Sequence, residues 1–351
     1  MTADAPTAAI RAPIDLQRLG RTLDARYVLH GAVDVERGRT RLTVELNETE
    51  TGRVLWSDRC VRPLDDIGGV SIAAAQRIAA AVPPVLVQRE LDRAVLLHPG
   101  GLFVQDRAWQ ACAMILRPER TTFPAAAALL RQAGSTAAPH GGARFASVCW
   151  HLMAITQGWF ADPAAETRAA AAAAERLDEA DPASMALRAH VRSVLHGDHA
   201  EACTVLGRII DSAPLCGIAW SLKALTLSQM GEGTEAVFHA GQAAGMPAPG
   251  PDLAWRDHVA ALASYVAGDY AEAARWARAS ARQHPGLAAN ARVHATSLAV
   301  LGRLDEAQRA ANRVLAIDPH FRIAAWRRRS FFTDDCRERY AQRLRLAGLP
   351  E

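Results

Sequence analysis

Near the start of the chain apolar and polar residues alternate in three successive runs. Over 26–36, Tyr27, Leu29, Gly31, Val33 and Val35 share one face. Arg37-Gly38 makes a turn. Over 39–48, Leu42, Val44 and Leu46 point one way and Arg41, Thr43 and Glu45 the other. Glu50-Thr51-Gly52 is the next turn, and 53–60 carries Val54 and Trp56 on one side. The pattern predicts a three-stranded antiparallel meander with one buried face. A short helix over 15–23 precedes it. At 64 the period becomes helical: Ile67, Val70, Ala74, Ile78 and Ala81 fall on one stripe behind a capping Leu64-Asp65-Asp66. Pro83-Pro84 then opens a second helix reaching His98. Residues 15–98 thus form a small α+β domain. Residues 1–14 are small, polar and proline-containing, and are expected to be a disordered tail.

Beyond this the chain repeats itself. Glu201-Ala202, Glu235-Ala236, Glu272-Ala273 and Glu306-Ala307 stand 34, 37 and 34 residues apart. A glycine precedes each alanine by five residues, at Gly197, Gly231, Gly268 and Gly302. A proline follows each, at Pro214, Pro249, Pro285 and Pro319. A period near 34 predicts stacked pairs of antiparallel helices. The glycine ends the first helix of a pair. The glutamate suits the positive end of the second. The alanine lies where the two helices cross most closely. Residues 247–252 read as a loop insertion that explains the longer spacing.

The repeat resembles the tetratricopeptide repeat. The copy with Trp220, Ala224, Leu227, Gly231, Ala236, Ala243 and Pro249 fits best. The copy with Ala295, Leu298, Gly302, Ala307 and Pro319 also fits, whereas Ser193 and Ser264 replace the usual large residue in two others. Less regular copies precede these. One runs from Ala108 to Gly141, with Ala127 at the close-packing position and a turn near 118–122 that lacks glycine. Another runs from His151 to Pro182, with Gly158, Ala170, Ala174 and an Asp162-Pro163 turn. About six repeats then occupy 99–323. Helices over 324–330 and 334–347 cap the array within 324–351, with Arg337, Glu338, Arg339, Gln342, Arg343 and Arg345 as a polar outer face.

A second resemblance lies in the α+β segment. The run from Leu19 to Val33, with Tyr27-Val28-Leu29-His30-Gly31, and the run Glu50-Thr51-Gly52-Arg53-Val54-Leu55-Trp56 look like a TolB-like N-terminal domain. That domain followed by tetratricopeptide repeats resembles the C-terminal regulatory half of bacterial class III adenylate cyclase-type proteins, and also occurs behind winged-helix activators. The final residues, Glu338 to Glu351, resemble the cyclase-type ending. Two departures stand out. The strand and helix that usually precede the Tyr-Val-Leu strand are replaced by a short helix, leaving an open sheet edge suited to self-association. Gly68-Gly69 weakens the first turn of the following helix.

Composition narrows the function classes. Half of the 351 residues are apolar and the formal net charge is only +3. Of 40 basic residues Lys223 alone is lysine, a bias that reads as genomic, so nucleic acid is not an expected partner. Six scattered cysteines, with no Cys-x-x-Cys, fit a reducing compartment, and the expected location is cytoplasmic. No apolar run has the length of a membrane span or a signal-peptide core.

No catalytic constellation emerges. Asp65-Asp66 and Asp334-Asp335 precede helices and read as caps. Gly100-Gly101 and Gly141-Gly142 lack the context of a phosphate loop. His196-Gly-Asp-His199 sits in an inter-helix turn, without partners for a metal. Trp326-Arg327-Arg328-Arg329 reads as a solvated cap. No cofactor and no metal are expected, and the chain is expected not to be an enzyme.

What remains is the face that tetratricopeptide resemblance assigns to ligands, the concave wall built by the first helix of each pair. There the candidates are Ser221, Leu225, Trp255, His258, Leu262, Tyr265, Arg292 and Thr296. Trp255, His258, Tyr265 and Arg292 have the chemistry of binding hot spots. For Trp255 and Tyr265 the alternative is packing against the next repeat. The Lys/Asn clamp of chaperone-binding members is absent. The expected fold is mostly α, a tetratricopeptide solenoid preceded by a small α+β domain. The expected function is a non-catalytic scaffold in bacterial signalling that binds a protein or peptide in the groove. The alternative is the regulatory portion of an adenylate cyclase or of a winged-helix regulator whose effector domain lies outside this chain.

Overall fold

A computed structural model describes residues 15–63, 67–96, 104–134, 141–160, 162–246 and 250–351. The chain divides into two compact units, Met1–Val85 and Leu86–Glu351.

In the first unit, α1 (Leu16–Leu23) is capped by the Asp15 carboxylate, which accepts from the Arg18 amide at 2.9 Å. β1 (Tyr27–Glu36), β2 (Arg39–Glu48) and β3 (Val54–Pro63) follow as an antiparallel sheet of order β1-β2-β3. Arg37 and Gly38 have φ of 50° and 71°. Two positive φ values in a two-residue loop match the right-handed twist of the strands. Leu29 pairs with Leu46, which pairs with Trp56 on its other side.

The single buried face expected for this sheet is only partly realised. Val44, Leu46 and Cys60 are buried, but Leu29, Val33 and Val35, on the same face, are 43–60% exposed. Asp58 lies opposite Val44 and pairs with Arg77 of the following helix at 2.7 Å. The cover tied by Arg77 therefore lies on the β3 side.

That helix, α2 (Ile67–Leu96), departs from expectation. It is one helix running through Pro83 and Pro84, not two helices meeting there. Proline fits helical φ, and its cost is the lost bond to the carbonyl four residues back and crowding against it. Here those carbonyls belong to Ala79 and Ala80. The unit boundary at Val85/Leu86 falls just after the proline pair, earlier than the sequence expectation of 98. The tail expected over 1–14, the cap expected at 64–66 and residues 247–249 of the expected loop insertion lie outside the described residues.

The second unit is an array of helix pairs. They are α3 (Val104–Leu116) with α4 (Phe123–Gly134), α5 (Gly141–Gln157) with α6 (Pro163–Ala174), and α7 (Pro182–His196) with α8 (His199–Ser212). Then come α9 (Gly217–Met230) with α10 (Gly233–Ala244), α11 (Gly250–Val266) with α12 (Tyr270–Gln283), and α13 (Ala288–Val300) with α14 (Leu304–Ile317). This is a helical-repeat fold of stacked antiparallel pairs. The repeat marks do what their chemistry predicts. Gly197, Gly231, Gly268 and Gly302 end the first helices at φ of 73–92°, the left-handed region that glycine enters without strain. Glu201, Glu235, Glu272 and Glu306 sit in the first turns of the second helices. Ala202, Ala236, Ala273 and Ala307 are at most 3% exposed at the crossings. In the first pair the close-packing alanine is Ala126, fully buried, and not Ala127 as the repeat spacing suggested. The glycine-free turn before it lets the second helix start at a different phase.

The first helices of successive pairs pack on one another, so they build the inner wall, while the second helices lie outside. The array also closes on itself. α3 contacts α11, and α5 contacts α13. Gln157, fully buried at the end of α5, donates to the Gly286 carbonyl at 2.8 Å and accepts from the Ala288 amide at 2.9 Å. One side chain thereby satisfies an orphan donor at the start of α13, 131 residues away. A Cβ on Gly286 would stand 2.6 Å from the Pro118 carbonyl oxygen, so glycine lets these turns approach.

Candidate functional site

The C-terminal helices α15 (Ile323–Arg329) and α16 (Asp334–Leu346) were expected to cap the array with an exposed polar face. α16 keeps Arg339, Gln342 and Arg345 exposed, and the inner sides of both helices pack deeply into the array. Trp326, Tyr340, Ala341 and Leu344 are buried in the same core as α11, α13 and α14. Trp326 stacks on Tyr340 at 5.1 Å, and Tyr340 meets Tyr265 edge-on at 5.1 Å. The Arg343 guanidinium donates to the Tyr270 hydroxyl at 2.7 Å. The Thr333 amide donates to the Gln229 carbonyl of α9 at 3.0 Å. So the segment 330–333 crosses to the inner side of the array. The reading of Trp326–Arg329 as a solvated cap is corrected: an amphipathic end that finds apolar surface beside it folds onto that surface. Trp326 is 5% exposed.

This closure decides where the eight candidate residues stand. Ser221 and Thr296 are fully buried and bond within their own helices, to the Gly217 carbonyl at 3.0 Å and the Arg292 carbonyl at 2.9 Å. Tyr265 is buried against Tyr270 and Tyr340, with the Arg343 guanidinium 5.1 Å from its ring. Burial pushes its phenol up to about 12. Its contacts are those of packing. Leu225, Trp255, His258, Leu262 and Arg292 do converge. They line one cavity of about 270 Å³, together with residues of α3, α5, α7 and α9 and with Phe331 and Phe332.

The cavity is mostly apolar, and its polar groups are unusual. His258 is buried, and desolvation, helped by the nearby Arg292 charge, pushes its imidazole down to about 4, so it is neutral near pH 7. His190, which also lines the cavity, is held at about 4 by burial and then by His199, and its Nδ1 lies 3.1 Å from the Thr226 hydroxyl. Arg292 is 4% exposed. Burial lowers it to about 10, which leaves it charged near neutral pH. Its Nη2 reaches the Thr156 carbonyl at 3.3 Å, and among the described residues its Nη1 has no hydrogen-bond partner. Arg329, also a lining residue, is within 3.7 Å of Asp318. Its guanidinium fills the space beside Gly158, where a Cβ would collide with it. Gly158 has φ of 76°, so the turn itself favours glycine there.

Several of these residues escaped the sequence reading. Gln157, Arg329, Phe332 and Tyr340 have no mark in the repeat pattern, since each acts across more than 60 residues of chain or from the capping segment. Arg329 was noted only as part of a basic run. The His199 ring nitrogen lies 2.7 Å from the Ser193 hydroxyl, and among the described residues no group of three His, Cys, Asp or Glu is placed to hold a metal. Among the described residues no helix is long and apolar enough to cross a membrane.

No family model matches the chain. It is similar to putative adenylate cyclase 3 of Rhizobium meliloti (strain 1021), with 33% identity over 79 residues. That similarity covers 22% of this chain and 14% of the relative. Among solved structures it is similar to the crystal structure of the APC/C hetero-tetramer Cut9-Hcn1, at 11% identity and a TM-score of 0.49, covering 76% of this chain and 48% of that one.

Proposed function

We propose that this chain is the non-catalytic, regulatory part of a bacterial signalling protein. Its helical-repeat array recognises a protein or peptide partner on the inner side, and its first unit is a TolB-like domain. The observation that carries the reading is the convergence of Leu225, Trp255, His258, Leu262 and Arg292, from three successive inner helices, on one recess. Trp255 is half-buried at this wall and offers a large rigid surface to a partner side chain. The C-terminal segment across the inner side restricts the contact to a short anchor, one or two side chains deep. The partial similarity to an adenylate cyclase supports cyclic-nucleotide signalling as the setting.

Two measurements test this reading. Immobilised peptide arrays probed with the whole chain should yield binders that Trp255→Ala weakens about tenfold or more, as for an interface hot spot. Binding indifferent to Trp255→Ala overturns the inner site. The purified chain should form no cyclic AMP from ATP, and measurable formation overturns the non-catalytic reading.

A further inference from the structure

The polar end of the recess carries a chemical preference. Two guanidiniums line the cavity, Arg292 and Arg329, and the lining carboxylate of Asp252 is held by Arg256 at 2.9 Å. Arg329 has Asp318 at 3.7 Å. Among the described residues Arg292 has no carboxylate within ion-pair distance, and its surroundings include the Thr156 carbonyl, the Phe321 ring at 5.8 Å, the neutral His258, the Tyr340 phenol and the Arg329 charge. The carboxylate that acts on it is Asp318, which Arg329 already holds, so Arg292 is a buried guanidinium with an unused N–H and no carboxylate of its own, which is costly. The surroundings do not relieve it, since Thr156 accepts one bond only at 3.3 Å. Much of the remaining lining is hydrocarbon, including Leu225, Leu262, Val293, Phe331 and Phe332. At about 270 Å³ the cavity sits just below the usual small-molecule range of roughly 300–1,000 Å³, which makes its occupant small.

We propose that this cavity binds a small organic acid, its carboxylate on the Arg292 guanidinium and its hydrocarbon body along Leu225, Leu262, Val293 and Phe332. The carboxylate supplies the missing counter-charge and takes the unused Nη1 donor in a charge-assisted bond. The body gains dispersion contacts with the apolar lining. Phe332 belongs to the segment whose Thr333 amide bonds Gln229, so an occupied cavity braces the C-terminal segment against α9. The inference rests on the recess being the array's ligand site, and it deepens that reading by naming the group that enters.

Calorimetric titration of the whole chain with octanoate and with octan-1-ol tests it. Octanoate should saturate the protein and bind about tenfold or more tightly than the alcohol, the worth of a hydrogen-bonded charge. Arg292→Met should erase that preference while circular dichroism shows the same helical content. Equal binding of acid and alcohol to the unaltered chain, or no octanoate binding, overturns the proposal, and neither outcome depends on the variant folding. The two readings fail separately. Peptides that bind through Trp255 while octanoate is silent sink the acid alone. Octanoate binding with every peptide silent sinks the peptide site and leaves the acid.

Discussion

The two units of this chain present the same kind of apolar surface and treat it oppositely. On β1, Leu29, Val33 and Val35 alternate cleanly and stay 43–60% exposed. On the inner wall of the array, Leu262, Tyr265 and Val293 are at most 5% exposed. Both patterns are locally sound. The difference is what returns to cover them. A strand buries a face only if another layer lies on it, and the cover tied by Arg77 to Asp58 lies on the β3 side. A superhelical array brings distant repeats together, so α5 reaches α13 and the C-terminal helices fill the inner side. An amphipathic pattern thus states which face wants burial, and long-range topology states whether it is granted.

The sharpest way to break the contrast is at the inner wall. Tyr340 is 3% exposed among Trp326, Tyr265 and Phe332. Tyr340→Ala should destabilise the array by about 3–5 kcal/mol, the cost of deleting a buried aromatic ring. Urea unfolding followed by circular dichroism measures it, and a loss below about 1 kcal/mol would show that the C-terminal helices are not part of the core.

Acid should weaken the array next. His190 and His258 are held at about 4 in the fold against 6.5 when free, so between those values the unfolded chain binds protons that the folded one refuses. Their contribution is complete above pH 6.5 and is lost as pH falls towards 4. Each histidine contributes a slope of up to about 1.4 kcal/mol per pH unit in that window. Urea midpoints measured from pH 7 down to 4.5 should fall, and His258→Gln should flatten the fall.

The smallest effect belongs to the sheet. Val33→Thr keeps β-branching on an exposed position and should change stability by no more than about 0.5 kcal/mol. A loss several times larger would mean that β1's exposed face is covered in solution, and sedimentation of the same variant would tell whether a second copy supplies the cover.

Much of this could be read directly from residue order. The three strands, their turns and the helix pairs follow from periods of two and of 34 residues. The glycine turns and the buried alanines stand where the repeat marks put them. The candidate site was legible in part. The tetratricopeptide resemblance picked out Leu225, Trp255, His258, Leu262 and Arg292, which line one cavity. It also picked out Ser221, Tyr265 and Thr296, which are spent on internal bonds and ring packing. Pro83-Pro84 misled because proline was read as a helix start, whereas its φ also suits a helix interior when the lost bonds are tolerated.

By itself, then, the sequence determined what is local: strand alternation, helix length, cap, turn and the close-packed crossing of each pair. Those depend on residues within one repeat of each other. The tertiary structure alone decided that the inner side is closed, because Gln157 meets Ala288 and Tyr340 meets Tyr265 only after every intervening pair has added its small rotation. The accumulated rotation turns the expected groove into a small cavity with a buried, unpaired arginine.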